Sequence, residues 1–448
     1  MQQRSIEDLI NLVPDRQQHL IGLSVAAARR LLLADEPAAV LGIRGSFALV
    51  ARRGRQVRLA RSLDRPLRYF LAKQAAGPLL VVADRIDAIH ACLAERGLAE
   101  QFHPSYTRMV PAHHVTELQL IGCPDPNPIH RRFFDPPRGT LPADLEVIGE
   151  TYVRALCDEI RLWLAAAPRR EPLGVLFSGG ADSGAVLLCL YHELLAAGQS
   201  PARLKAFTLA VDGGGADLTA AREFLDATGL AMLGEEVAAT AADLDPFAAV
   251  EVIEDYKPLD VEAATMELAL LGQLRRRYPE WRLLADGDGG DENFKDYPIE
   301  ENAELTIRSV VGNRLLYQEG WGVEAIKQSL TYSGGLSRGS VRGYAPASRF
   351  GFSIFSPHTR PRVIAAAEAI PFAALSRGSH QALYAIKPEA LAHGVRRLTG
   401  FEMPIFPKRR FQHGAAPAEA LDGRFGVHPL RYRRHLLDRY ERGDRAAR

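Results

Sequence analysis

The chain has 448 residues, a length that divides into two or three ordinary domains with room for a large core. Its apolar share is 47% and its charged share 24%, and 55 Lys and Arg against 54 Asp and Glu leave a formal charge of +1. That balance excludes the chain-wide basic footprint of a nucleic-acid binder, and no apolar run reaches the ~18 residues that a membrane-spanning helix needs.

Taken in chain order, residues 20–28 form a short apolar run. The acidic Glu7, Asp8 and Asp15 before it are unlike a secretory leader, so the run reads as buried structure. Residues 38–50 read as a strand containing Gly42 and Gly45, with 57–60 as a hairpin partner across Arg52-Arg53-Gly54-Arg55. A strand over 79–84 and a helical stretch over 86–97 complete an α+β pattern. Prolines 124, 126, 128, 136, 137 and 142 mark a linker, and apolar residues at helical spacing follow over 143–167. From Pro172 strands and helices alternate. Strands are predicted over 173–177, 204–211, 230–237 and 282–285, helices over 182–197 and 217–229, and helical stretches from Asp243 and from Glu262. This alternation predicts a parallel sheet with helices on both faces. The arginine-rich end, 431–448, reads as a solvated helix or a frayed tail.

Ser178-Gly179-Gly180-Ala181-Asp182-Ser183 falls between a buried strand and a helix. Its glycines let backbone N–H groups approach an anion, and the helix that follows directs its N-terminus at the same place. Ser178 and Ser183 add hydroxyl donors, and Asp182 beside phosphates makes sense if a magnesium ion bridges them. Ala285-Asp286-Gly287-Asp288-Gly289-Gly290-Asp291-Glu292 also follows an apolar strand. In a parallel sheet both turns lie at the carboxyl ends of strands, where ligands bind. Pro407-Lys408-Arg409-Arg410-Phe411 supplies a basic loop, whose lysine can neutralise charge developing on an oxygen.

These three elements in this order resemble the asparagine synthetase family, with its β-lactam synthetases and other amide-forming relatives. The match covers the family's Ser-Gly-Gly-x-Asp-Ser pyrophosphate loop at 178–183, its Gly-Glu-Gly-x-Asp-Glu at 287–292 and its Lys-x-x-Phe at 408–411. Fainter echoes are Phe207-Thr208, Asp217 with Ala221, Glu254-Asp255-Tyr256, Ala264-Thr265-Met266, and Lys387, 21 positions before Lys408. Arg44 to Ala48 and Arg61 to Tyr69 look like parts of the family's glutamine amidotransferase domain. The resemblance implies an α/β chain. It would have a degenerate α+β amidotransferase-like sandwich over 1–135 and a parallel-sheet ATP-pyrophosphatase domain over 143–448. It further implies ATP and Mg2+ as cofactor and substrate, cleavage of ATP to AMP and pyrophosphate, small carboxylate and amine substrates that extend to a peptide, no nucleic-acid or membrane partner, a cytoplasmic location, and room for a homodimer.

The departures define the expectation further. A glutaminase of this type has a cysteine directly after the initiator methionine, but residue 2 is Gln2. The cysteines, Cys92, Cys123, Cys157 and Cys189, stand far apart and form no Cys-x-x-Cys pair, as suits reduced thiols. The first domain is therefore expected to be a relic without glutaminase activity. Asp288 replaces the family's Glu, Phe294-Lys295-Asp296-Tyr297 replaces Phe-Gly-Gly-Tyr, and the Arg-x-Pro-Phe-Leu-Asp segment is visible only faintly within 350–357. All three suggest a substrate other than aspartate.

Under the resemblance, Leu176, Ser178, Gly179, Gly180, Asp182, Ser183, Phe207, Thr208, Gly287 and Lys387 hold ATP and pyrophosphate. Asp182 and Asp291 hold magnesium, Lys408 stabilises the developing charge, and Asp288, with Tyr256 or Glu254, binds the amine. Ammonia-dependent amidation, a peptide macrolactam cyclase and a non-catalytic nucleotide-binding relative stay open as alternatives.

Overall fold

The computed structural model describes residues 8–74, 78–120, 127–296, 299–301, 306–312, 340–407, 414–417, 421 and 423–445. Its N-terminal strands are β1 (Asp8–Asn11), β2 (His19–Leu20), β3 (Gly45–Ser46), β4 (Ala48–Arg53), β5 (Gln56–Arg61), β6 (Arg68–Ala72), β7 (Leu79–Ala83), β8 (Arg108–Met109), β9 (His114–Gln119) and β10 (Ile129–Arg132). They form two four-stranded sheets, ordered β1-β7-β6-β8 and β10-β9-β5-β4, beside the short β2-β3 pair. The sheets face each other across Val50, Val57 and Leu59 on one side and Tyr69, Leu80 and Val82 on the other.

Helix α1 (Val25–Leu32) covers the outer face of β4 and β5 with Ala28 and Leu32. Helix α2 (Ile86–Ala94) covers β6 and β7 with Ile89 and Leu93. The layers run helix, sheet, sheet, helix. Two expectations shift. Residues 37–42 form a 3-10 helix rather than the start of a strand, because Pro37 fixes its own φ and offers no N–H to a ladder; pairing begins at Gly45. The run over 20–28 straddles β2 and α1, and within it only Ala28 is fully buried.

The second half holds one parallel sheet of β11 (Leu173–Leu176), β12 (Leu204–Val211), β13 (Gly234–Ala239), β14 (Leu283–Ala285) and β15 (Ser353–Phe355). The order is β13-β12-β11-β14-β15, and each neighbouring pair is parallel. A 3-10 turn over 231–233 delays β13 relative to the sequence pattern. The helices are α3 (Leu145–Ala166), α4 (Ala181–Ala196), α5 (Ala216–Ala227), α6 (Pro246–Ile253), α7 (Pro258–Arg277), α8 (Gly290–Phe294), α9 (Ile307–Gly312), α10 (Ala345–Arg349), α11 (Pro361–Glu368), α12 (Phe372–Ser376), α13 (His380–Thr399) and α14 (Pro429–Arg445). Helices α3, α4 and α13 bury one face of the sheet around Leu156, Val186 and Leu391. Helices α7 and α10 bury the other with Met266, Leu270 and Ala347 against Phe207 and Leu284.

Helices α3 and α13 touch backbone to backbone. A Cβ on Gly149 would stand 2.1 Å from the Ala390 carbonyl, and one on Gly394 would stand 2.2 Å from the Gly149 carbonyl. This crossing fixes α13, which carries Lys387 seven residues, about two turns, before Gly394.

The two halves share their cores. Ile364 of α11 enters the N-terminal cluster with Leu49 and Phe133, and Ile86 of α2 enters a cluster with Val250 and Val261. Between them, Arg360 bonds Asp64 at 3.0 Å with both side chains buried, and donates to the Gly45 carbonyl at 2.9 Å. The proline-rich connection is also tied down, with Gly139 and Leu141 donating to Glu368 and Ala369 carbonyls at 2.9 Å. Helix α14 is docked rather than frayed. Tyr432, Leu436 and Tyr440 are buried on one face, and Arg439 reaches Asp87 and Glu251 at 3.7 Å. Among the described residues no helix is long and apolar enough to cross a membrane.

Candidate active site

The chain leaves β11 for β12 on one side, while β14 joins β11 on the other. The strand order therefore reverses between β11 and β14, and the turns after these two strands meet at their carboxyl ends. In the first turn Gly179 has φ +76, Gly180 caps the N-terminus of α4, and the Ser178 and Ser183 hydroxyls lie 3.3 Å apart. The Gly180 N–H donates to Ser178 Oγ at 3.3 Å. In the second turn Asp288 N–H donates to Asp286 Oδ1 at 3.1 Å. A Cβ on Gly287 would lie 2.6 Å from the Ser183 nitrogen, so this glycine lets the second turn press on the first turn of α4.

Lys387 ties the turns together. Its Nζ lies 2.8 Å from Asp182 Oδ2, 2.5 Å from Asp291 Oδ1 and 2.7 Å from Asp296 Oδ2. Burial alone would drive off its proton, but the three carboxylates outweigh burial and hold the ammonium well above the usual lysine range. Pro388 follows directly inside α13 and removes one helical N–H donor at that point. Asp296 reaches Lys387 because Lys295 ends α8 in a left-handed conformation with φ +54. Lys295 itself turns away, to 3.9 Å from Glu368 and over the Phe372 ring.

Beside the second turn lie two acids, Asp286 and Glu267, that burial holds toward the protonated form. Burial lifts Asp286 from 3.8 to about 6, although hydrogen bonds from Ser356 and from the Asp288 N–H oppose the shift. Burial, with Asp286 and Asp288 nearby, holds Glu267 well above the usual carboxyl range. An acid whose folded pKa is raised binds extra protons when folded. Its stabilising contribution is full below pH 3.8 and is lost as the pH rises through about 6. Asp286→Asn is therefore expected to stabilise the chain at pH 7.5 by about 2 kcal/mol, with the gain vanishing near pH 4. Thermal melts at the two pH values check this, and an equal effect at both contradicts it.

A third set of residues lies under both turns. Tyr152 Oη is 2.7 Å from His358 Nδ1, and Asn293 Nδ2 donates to Tyr152 Oη at 2.9 Å and to the His358 carbonyl at 2.8 Å. His358 Nε2 lies 3.4 Å from the Asp182 carbonyl. Burial lowers the His358 pKa to about 4, so the ring is neutral at physiological pH. Sequence reasoning did not reach these three residues.

Several expected site residues lie elsewhere. Glu254 ends α6 at φ +52, and its carboxylate accepts the Ile86 N–H at 2.8 Å and the Asp87 N–H at 2.9 Å. It thereby caps α2, whose own cap residue Arg85 makes no side-chain cap bond, and lies 3.6 Å from Arg68. Both of its carboxylate oxygens are thus engaged at the start of α2 and buried, where the sequence reading expects them to meet an amine. Tyr256 packs with Tyr432 and Val261 and bonds Arg433, so it belongs to the docking of α14. Leu176 and Phe207 are core residues of the face under α7, where the Phe207 ring meets Tyr278 and Trp281. Thr208 is buried in β12, in register with Glu236.

Lys408 lies outside the described residues, as do Tyr297, Cys123 and Gln2. Of the residues flanking Lys408, Phe406 packs on the main core, and Ala415 accepts from Val211 N–H at 3.0 Å, at the carboxyl end of β12.

Comparison with family models matches residues 166–340 to asparagine synthase. No curated protein matches the chain. The matched span holds both turns, Asp182, Asp288, Asp291 and Asp296, and ends before Lys387.

Proposed function

We propose, from the match of residues 166–340 to asparagine synthase, a family of ATP-dependent ligases, that the chain forms an amide bond from a carboxylate and an amine. The observation that carries the reading is Lys387, held at the meeting point of the two turns by Asp182 and Asp291. A buried cation facing the N-terminus of α4 suits a polyanion bound at that place. In the proposed reaction a substrate carboxylate attacks the α phosphorus of ATP and pyrophosphate leaves. The amine then attacks the acyl carbon of the adenylate, and AMP leaves.

Each residue has a part in this scheme. Backbone N–H groups of the 178–183 turn and the hydroxyls of Ser178 and Ser183 hold the pyrophosphate. Lys387 balances its charge as it departs. Two carboxylates converging on one cation fit magnesium, which is usually bound by one or two carboxylates together with substrate phosphates, so Asp182 and Asp291 would hold it. Magnesium supplies charge neutralisation on the phosphate oxygens. Asp288 orients the incoming amine, and Lys408 stabilises the oxyanion of the tetrahedral intermediate.

The N-terminal unit acts as scaffold in this reading. Cys92 is buried, its thiol is pushed up by burial, and its Sγ lies 3.2 Å from Arg96. Such a thiol is a poor nucleophile. Glutamine is expected to stay intact with the purified chain, and glutamate release overturns the scaffold role.

The direct test is a pyrophosphate-release screen with ATP, magnesium and paired acids and amines, with mass spectrometry to separate a lactam from an intermolecular amide. Lys408→Ala is expected to reduce amide formation by about 100-fold or more, and near-normal turnover would remove that residue from the scheme.

A further inference from the structure

We propose that Tyr152 is a positioning residue for the site, fixing the distance between the two carboxylate-bearing turns through Asn293 and His358. The proposal rests on the ligase reading only in its kinetic part.

The donors and acceptors close in one way. Asn293 has two N–H donors on Nδ2; one goes to Tyr152 Oη and the other to the His358 carbonyl. Tyr152 Oη therefore accepts from Asn293 and gives its own proton to His358 Nδ1, at 2.7 Å. A neutral ring with Nδ1 as acceptor carries its proton on Nε2, which faces the Asp182 carbonyl at 3.4 Å. Asn293 belongs to α8, which opens with the second turn; Asp182 belongs to the first; Tyr152 is on α3, a separate element from both. Tyr152 and His358 are fully buried and Asn293 nearly so, so water offers no ready substitute.

The turns need such a tie. They carry Asp182, Asp288, Asp291 and Glu292, which repel one another across a gap where Gly287 already touches Ser183. Lys387 draws the carboxylates together from one side. The Tyr152 chain ties the backbones through Asn293 Nδ2 and the His358 ring. Groups that orient metal-binding and phosphate-binding residues in this way change affinity about 10–100-fold when removed.

Tyr152→Phe in the full chain tests the proposal. The phenyl ring keeps its edge contact with Phe294, 4.6 Å between centroids, so the variant retains its packing. Hydrogen exchange is expected to quicken at the amides of both 178–183 and 287–293, while Tyr278→Phe, a hydroxyl loss on the opposite face of the sheet, leaves both turns unchanged. The KM for magnesium-ATP is expected to rise about 10-fold or more, with the KM for the amine unchanged.

Asn293→Ala should give the same pattern, and the double variant should lose no more than the worse single one, because one chain is broken either way. Unchanged exchange in the two turns, or additive losses in the double variant, overturns the proposal. If the wild-type chain releases no pyrophosphate with any substrate pair, the ligase reading fails, and the exchange comparison still decides the role of Tyr152.

Discussion

Lys387→Met is expected to lower pyrophosphate release by about 100-fold or more. The methionine keeps the length and apolar stem of lysine, so the helix crossing at Gly149 and Gly394 is undisturbed. What it removes is the cation shared by Asp182, Asp291 and Asp296. In the proposed reaction that cation faces the departing pyrophosphate. Without it, the leaving group develops its charge beside three carboxylates. The same loss has a signature that needs no substrate. Carboxylates left without their internal cation attract a divalent one, so the melting midpoint of Lys387→Met should rise with added magnesium more steeply than that of the wild type. Steady-state kinetics and melts across a magnesium series check both effects. Near-normal turnover, or a magnesium response equal to that of the wild type, contradicts the placement of Lys387.

Arg360→Met is expected to destabilise the chain by about 3–5 kcal/mol. Arg360 and Asp64 are each only 3% exposed, and their 3.0 Å pair joins the N-terminal unit to the segment after β15. Removing the arginine takes away the largest counter-charge of the buried Asp64 carboxylate and leaves it to Ser46, Ser62 and Arg65. The pair holds Asp64 below the usual carboxyl range despite burial, so its stabilisation is present above the unfolded pKa and is lost as the pH falls below it. Asp64→Asn added to Arg360→Met should recover part of the loss, because the unpaired carboxylate is gone while the buried Arg61 and Arg65 beside it lose a counter-charge. Denaturant unfolding of the single and double variants measures this. A single variant as stable as the wild type contradicts the joint.

The parallel sheet was legible because its strands are short apolar runs punctuated by glycine and polar turns. The 204–211 strand was placed to the residue, since buried central strands carry that pattern undiluted. The two turns were legible because glycines and carboxylates at fixed spacing have few other uses. Residues outside such patterns were not. His358 sits one position beyond the segment read faintly over 350–357, and Tyr152 and Asn293 look like ordinary core and helix residues until the chain is folded. The capping bonds of Glu254 are not legible in the sequence, because its neighbourhood cannot show that its partner is the start of a helix 168 residues earlier. The docking of α14 is hidden because its arginines dominate the composition and suggest a solvated helix or frayed tail, although Tyr432, Leu436 and Tyr440 recur every four residues on one face.

The most direct measurement follows oxygen. A carboxylate substrate found by the pyrophosphate screen is labelled with 18O on both oxygens and turned over with ATP, magnesium and the amine. Adenylation predicts one labelled oxygen in AMP and none in pyrophosphate. Label in inorganic phosphate with ADP as product, or unlabelled AMP, would contradict it.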